Sequence, residues 1–158
     1  MTRWRIDSLA EFGPVTATFT PRGLSRLEFG PGAAKGAEAA DKAGGPEVAT
    51  LARELERYFE RGEWRFTVPL DLSSGTDFDR AVWKALAMID VGKTCSYGEV
   101  ARAIGRPRAA RAVGNACGRN PVPVVVPCHR VVASGGIGGF GLGLDLKRRL
   151  LTLEGIRV

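Results

Sequence analysis

One histidine, three cysteines, two tyrosines and two methionines occur among 158 residues. Cys95, Cys117 and Cys128 are odd in number, spaced 22 and 11 residues apart, and form no C-x-x-C pair. A disulfide framework is therefore unattractive, and so is a tetrahedral zinc site with His129 as its one imidazole. No metal is expected, and at least one thiol stays reduced. No apolar run reaches the length of a bilayer-crossing helix, and "MTRWRIDSLAEF" lacks the apolar centre of a secretory signal. A cytoplasmic location is the expectation.

What is present is an ordinary globular composition, 44% hydrophobic and 25% charged, enough for one good core or two small ones packed together. Its charge is uneven. Residues 1–75 hold ten Lys/Arg against eleven Asp/Glu, and residues 76–158 hold thirteen against six, so the excess behind the net +6 lies in the second half. A basic half fits a polyanionic partner, most often nucleic acid, and it fits a solvated surface equally well.

Along the first half, "PVTATFT" (14–20) and "LSRLEF" (24–29) alternate apolar and polar residues around the turn "PRG", which predicts a hairpin, with a further strand around Trp4 and Ile6. The stretch 30–45 has several glycines and no large apolar residue, and is expected to be a loop. Pro46 opens a helix with Val48, Leu51, Leu55, Tyr58 and Phe59 at helical spacing, and Gly62 ends it. "WRFTVPLDL" (64–72) is predicted as a strand, and the polar break 73–76 as a domain boundary.

In the second half, Thr76 and Asp79 signal a helix start, with Phe78, Val82, Leu86 and Ile89 on one face to about Ile89. Ser96 and Glu99 form an S-x-x-E capping box ahead of Val100, Ala103 and Ile104, and Gly105 stops that helix. A second short helix follows Pro107 and runs to Gly118, so the pair is a helix-turn-helix candidate. That second helix is made of small residues, among them Ala110 and Gly114, with Arg106, Arg108, Arg111 and Arg119 in and around it. Close approach to a DNA backbone, with arginines reaching phosphates, explains this makeup. Tight helix packing explains the small residues but not four arginines.

"NPVPVVVPCHRVV" (120–132) is the sharpest feature. Pro121, Pro123 and Pro127 forbid a helix, Val124–Val126 want burial, and the chain is expected to run extended through the interior and emerge at Cys128. Alone, Cys128 would be a small core residue and His129 a structural imidazole. Together they supply a thiol with a base, and Arg130 adds a cation, which is what a nucleophilic cysteine needs. Neighbours in an extended segment point to opposite sides, so His129 acts on Cys128 only if the backbone bends or a water bridges them. A carboxylate must hold the imidazole. Glu154, ending the last helix "DLKRRLLTLEG" against the helix dipole, is the better candidate orienter, against a solvated terminal acid.

With "SYGEVA" and "ARAVGNA" before it and a Gly-rich loop and "KRRLLTLEG" after it, the segment resembles the O6-alkylguanine-DNA alkyltransferases over roughly residues 76–156. Upstream only the general plan is similar. The resemblance implies an α/β (α+β) two-domain fold, with 1–75 a strand-rich support domain carrying one helix. Residues 76–158 would be a mainly helical DNA-binding and alkyl-transfer domain. It implies a direct-reversal reaction that passes the alkyl group of O6-alkylguanine in duplex DNA to Cys128 once, without cofactor. His129 would be the base acting through water, with Glu154 as its partner. Tyr97 would donate a proton to the leaving guanine, and Asn120 would be the hinge before the cysteine segment. Arg111 would fill the duplex in place of the extruded base, with Arg106, Arg108, Arg119, Ala110, Gly114 and Arg130 against the DNA. Tyr97, Val131, Ser134 and Phe140 would line the substrate pocket. Phe140 stands where many relatives carry tyrosine, which leaves the range of alkyl groups open. The zinc site of some relatives is not expected, because the first half has no Cys or His. A monomer is expected, with cooperative binding on DNA left open.

Three rivals remain. A non-catalytic lesion binder would replace the reactive cysteine. A helix-turn-helix regulator would not need the PCHR segment. A cysteine hydrolase would need an oxyanion hole and a water path.

Overall fold

The structure is a computed structural model that describes the chain except residues 8, 10, 11, 40–43 and 64, and, at 33 and 34, describes the backbone alone. The chain divides into two compact units, Met1–Leu72 and Ser73–Val158, the second starting at the first residue of the polar break 73–76.

In the first unit, β1 (Thr2–Ile6), β2 (Val15–Thr20), β3 (Gly23–Phe29) and the two-residue β4 (Glu38–Ala39) form one sheet in the order β3-β2-β1-β4. The hairpin is the predicted one, antiparallel from Val15 opposite Phe29 to Thr20 opposite Gly23, with an irregularity at Thr18/Phe19. β1 pairs antiparallel with β2, so β2 is an inner strand. That position explains why Thr16 and Thr18 are buried along with the apolar positions. The expected loop 30–45 holds a short 3-10 turn at Pro31–Ala34 and the parallel pairing of β4 with β1; residues 40–43 of it lie outside the described residues.

Helix α1 (Pro46–Arg61) starts with proline in its first turn, where no N–H is missed. It ends at Gly62, whose φ of 74° lets its N–H return to the Tyr58 carbonyl at 2.7 Å. Val48, Leu51, Leu55, Tyr58 and Phe59 form its buried face, and Phe59 meets Phe29 of β3 edge-on with centroids 6.5 Å apart.

The strand predicted for 64–72 is not formed; its first residue, Trp64, lies outside the described residues. Among its described residues, only Leu70 bridges β3, at Leu24, through Leu24 N–H to Pro69 O and Asp71 N–H to Leu24 O, both 2.8 Å. The reason is donor supply. The Thr67 N–H goes to both Glu54 carboxylate oxygens, at 3.0 and 3.1 Å, and Pro69 has no N–H.

In the second unit, α2 (Asp77–Leu86) begins with the predicted box, Thr76 Oγ1 accepting from Asp79 N–H at 3.0 Å and Asp79 Oδ2 from Thr76 N–H at 3.1 Å. It ends at Leu86, short of the predicted Ile89, which is nonetheless buried in the turn that follows. Strand β5 (Cys95–Ser96) leads into α3 (Tyr97–Ala103), capped by Ser96 Oγ accepting from Glu99 N–H. Its buried face is Val100 and Ala101, whereas Ala103 is exposed and Ile104 half-buried, because the helix is only two turns long and faces the core with its middle.

Helix α4 (Ala110–Gly118) follows after an exposed connection and packs on α2 and α3 with Val113 and Ala116 inward. The Trp83 indole N–H, buried in α2, donates to the Ala116 carbonyl at 2.9 Å and fixes that packing. Strand β6 (Val131–Val132) pairs parallel with β5, and α5 (Leu144–Leu153) closes the core with Lys147, Leu150 and Leu151.

Candidate active site

The cysteine segment is not extended, as the prolines suggested, but folded into a buried turn. Prolines 121, 123 and 127 cannot donate to a ladder, so a side chain takes over. Asn120 Nδ2 donates to the Val126 carbonyl at 2.8 Å and Asn120 Oδ1 accepts from Val122 N–H at 3.0 Å. Val126 N–H returns to Val122 O at 2.9 Å. Val124 carries the reversal at φ 75°, a conformation that costs a β-branched residue about 1–3 kcal/mol. Burial of Val122, Val124 and Val126 offsets it.

The segment delivers Cys128–Arg130 as a 3-10 turn, so the bend that brings a thiol and its neighbouring imidazole into one site is present. Cys128 is 6% exposed and His129 fully buried. Behind them, one carboxylate holds two side chains. Glu154 Oε2 lies 2.5 Å from His129 Nε2, and Arg130 donates from Nε to Oε1 at 2.7 Å and from Nη2 to Oε2 at 3.2 Å. Arg130 Nη1 donates to the Ile89 carbonyl at 2.6 Å. The carboxylate accepts only, so the neutral imidazole carries its proton on Nε2 and keeps its basic lone pair on Nδ1. Burial pushes the His129 pKa below its ordinary value, and the Glu154 bond works against that. The imidazole is thus neutral near pH 7 and able to accept a proton.

Burial pushes the Cys128 thiol up, while the Asn120 side chain, the Lys147 charge and the backbone N–H groups of Cys128 and His129 pull it down. The resting sulfur is therefore a thiol, and it must lose its proton to react. It faces a pocket of about 150 Å³ walled by Tyr97, Cys117, Phe140 and four glycines, 114, 118, 139 and 141. A cavity of that volume holds one aromatic ring. Tyr97 Oη accepts from Gly139 N–H at 3.3 Å and sits 3.5 Å from the Gly139 carbonyl. The position of Gly138 beside it favours glycine: at φ 77°, a Cβ would lie 2.9 Å from Tyr97 Oη and 3.1 Å from Ala133 N.

Of the residues named from the sequence, Cys128, His129, Glu154, Asn120, Tyr97, Phe140 and Gly114 come together here. Arg111 is exposed on α4 beside Ala110, and Arg106 and Arg108 are exposed in the connection before it. Arg119 is half-exposed but engaged by the buried Asp79, Nη2 to Oδ1 at 2.6 Å and Nε to Oδ1 at 3.1 Å.

Three placements differ from expectation. Arg130, expected against DNA, is buried, with its guanidinium on Glu154 and Ile89, because the 3-10 turn rotates it into the core. Val131 is buried in β6 and Ser134 is exposed; neither lines the pocket, because the chain turns outward at the Ala133–Gly136 bridge and returns to it only at Gly139.

The sequence reading missed two residues. Cys117 shares the pocket wall with Cys128, and burial pushes its thiol up to about 12. Lys147 is fully buried and donates to two carbonyls. The signal was its i+3 and i+4 spacing to Leu150 and Leu151, which places it on the apolar face of α5.

The second unit matches the family described as 6-O-methylguanine DNA methyltransferase, DNA binding domain, over residues 77–156. The chain is 42% identical over 144 residues, 90% of each chain, to a methylated-DNA–protein-cysteine methyltransferase of Methanosarcina barkeri. It is 55% identical over 102 residues to the protein of that name from Mycobacterium bovis, a match covering 64% of this chain and 61% of the relative. In that alignment the chain spans under two thirds of the relative's length. The crystal structure of Mycobacterium tuberculosis OGT in complex with DNA superimposes with a TM-score of 0.82 at 39% identity, covering 98% of this chain and 92% of that one. A folded PCHR turn backed by a buried His–Glu–Arg cluster, on a chain matched along almost all its length, belongs to the 6-O-methylguanine DNA methyltransferase family.

Proposed function

We propose that this protein repairs O6-alkylguanine in duplex DNA by moving the alkyl group irreversibly to Cys128. One observation carries the reading: the Cys128 sulfur faces a ring-sized pocket, and the neutral His129, oriented by Glu154, is the next residue in the turn. His129 Nδ1 takes the thiol proton through a water. The thiolate attacks the alkyl carbon opposite O6, an S–C bond forms, the C–O6 bond breaks, and its electron pair leaves with guanine as Tyr97 supplies a proton. The thioether has no easy leaving group, so each molecule acts once.

In-line attack requires the base to leave the stack, at a few kcal/mol that damage to pairing reduces. Arg111, exposed on the small-residue helix α4, fills the gap, and Arg106 and Arg108 meet phosphates. In this reading residues 76–158 bind duplex DNA and react, 1–75 support them, no cofactor is used, and the protein acts as a cytoplasmic monomer. Among the described residues no helix is long and apolar enough to cross a membrane.

The test is incubation with duplex DNA containing O6-methylguanine, followed by intact and peptide mass spectrometry. One methyl on the Cys128 peptide, absent in Cys128→Ala although that variant still binds the duplex, is expected. Transfer surviving in Cys128→Ala refutes the assignment of the nucleophile.

A further inference from the structure

Lys147 is a charged side chain sealed inside the second unit, with no accessible surface. Its Nζ donates to the Val131 carbonyl at 2.6 Å and to the Gly139 carbonyl at 2.9 Å. Val131 is the first residue after the Cys128–Arg130 turn, and Gly139 is a wall of the pocket, held in turn by Tyr97. One ammonium thus joins the turn that carries the sulfur to the loop that shapes the pocket. Its two acceptors are neutral. Carbonyl dipoles satisfy the donors without cancelling the charge, and an uncancelled buried cation is expensive to maintain. A neutral side chain would hold the loop at lower cost, so the retained charge calls for a counter-charge that forms during the reaction.

We propose that Lys147 is a positioning residue for alkyl transfer: it clamps the Gly139 wall of the pocket to the strand leaving the cysteine turn, and supplies the positive charge against which the Cys128 thiolate forms. This rests on the transfer reaction proposed above. The groups facing Cys128 support it. From α4 comes Cys117, a thiol held protonated by burial. From α3 comes Tyr97, whose phenol burial also pushes up. Asn120 offers a neutral amide, and the charges of Arg130 and Glu154 are spent on each other. His129, neutral at rest and held by Glu154, becomes a cation only once it has taken the thiol proton. Lys147 is the charge already in place before that transfer and shares the new anion with it afterwards. The relation is reciprocal: burial lowers the Lys147 pKa, and the charges of Cys128 and Cys117 would raise it.

The experiment measures the rate at which iodoacetamide alkylates Cys128 as a function of pH, read on the Cys128 peptide, in the full-length wild type, Lys147→Gln and Lys147→Arg. Gln keeps a donor for the carbonyls and removes the charge; Arg keeps the charge. In Lys147→Gln the Cys128 midpoint is expected to rise by about one unit, with the rate at neutral pH down about tenfold. Single-turnover transfer from O6-methylguanine duplex should fall in parallel, with affinity for the duplex unchanged. Lys147→Arg should return the midpoint toward wild type.

An unmoved midpoint in Lys147→Gln, or equal shifts in Gln and Arg, overturns the proposal. A second measurement needs no Lys147 variant: by NMR, Lys147 Nζ should titrate at higher pH in the wild type than in Cys128→Ala, and equal midpoints overturn the proposal as well. Failure of the wild type to take a methyl from DNA sinks the repair reading instead, while the iodoacetamide and NMR arms still decide whether Lys147 and Cys128 are coupled.

Discussion

Replacing Glu154 separates what its carboxylate does for the fold from what it does for the chemistry. In Glu154→Ala, the Arg130 guanidinium loses acceptors at 2.7 and 3.2 Å and keeps, among the described residues, the Ile89 carbonyl, inside a site where the glutamate side chain has no solvent access. Removing one member of a buried ion pair costs about 3–5 kcal/mol, because the other charge stays buried. Glu154→Gln keeps an oxygen for Arg130 Nε and fills the same volume, so its loss should be nearer the about 1.5–3 kcal/mol of a hydrogen bond to a charged group. Its amide, however, turns donors toward His129 Nε2. The imidazole must then accept there and carry its proton on Nδ1, the atom needed as base. Transfer should fall roughly 10²–10⁴-fold, the usual share of a positioned acid or base. Hydrogen exchange of the α5 amides reports the stability of the second unit by itself, and single-turnover transfer from O6-methylguanine duplex reports the chemistry. Gln should be the more stable of the two variants and still nearly inactive. A Glu154→Ala loss below about 1 kcal/mol would refute the buried-cluster energetics, and wild-type transfer by Glu154→Gln would refute the tautomer argument.

Arg111→Ala should slow repair in duplex DNA far more than reaction with free O6-benzylguanine, since only the duplex needs its gap filled; equal slowing in a stopped assay removes that role. Asp79 is held below its ordinary 3.8 by the Arg119 side chain, so its contribution is complete above the unfolded pKa and is lost as pH falls through the lower folded value. The stability gap between wild type and Asp79→Asn, from urea titrations at several pH values, should therefore be constant from about pH 5 upward and close below 3.8. Gly138→Ala places a methyl 2.9 Å from Tyr97 Oη at φ 77° and should cost about 1–3 kcal/mol while displacing Tyr97. Unchanged melting and unchanged transfer would show that the loop yields freely.

Local physics made most of the elements legible. The period-2 hairpin, the proline-to-glycine bounds of α1, the T-x-x-D box of α2 and the two short helices around Gly105 all follow from neighbours within four residues, and all are present. The PCHR segment, too short of donors for regular structure and too apolar for solvent, stood out as the candidate reactive centre from its residue types. What failed needed partners far along the chain. The strand at 64–72 was denied by Glu54, thirteen residues before Thr67, which took its donor. Arg130 looked like a surface cation until Glu154, 24 residues on, drew it inward. Sequence alone determined which atoms could react, because a thiol, an imidazole and a carboxylate are properties of side chains. Only the tertiary structure decided the protonation each holds at rest, which tautomer the imidazole keeps and which lysine joins the cysteine turn to the pocket wall, because burial and distance set those energies and neither is a property of any one segment.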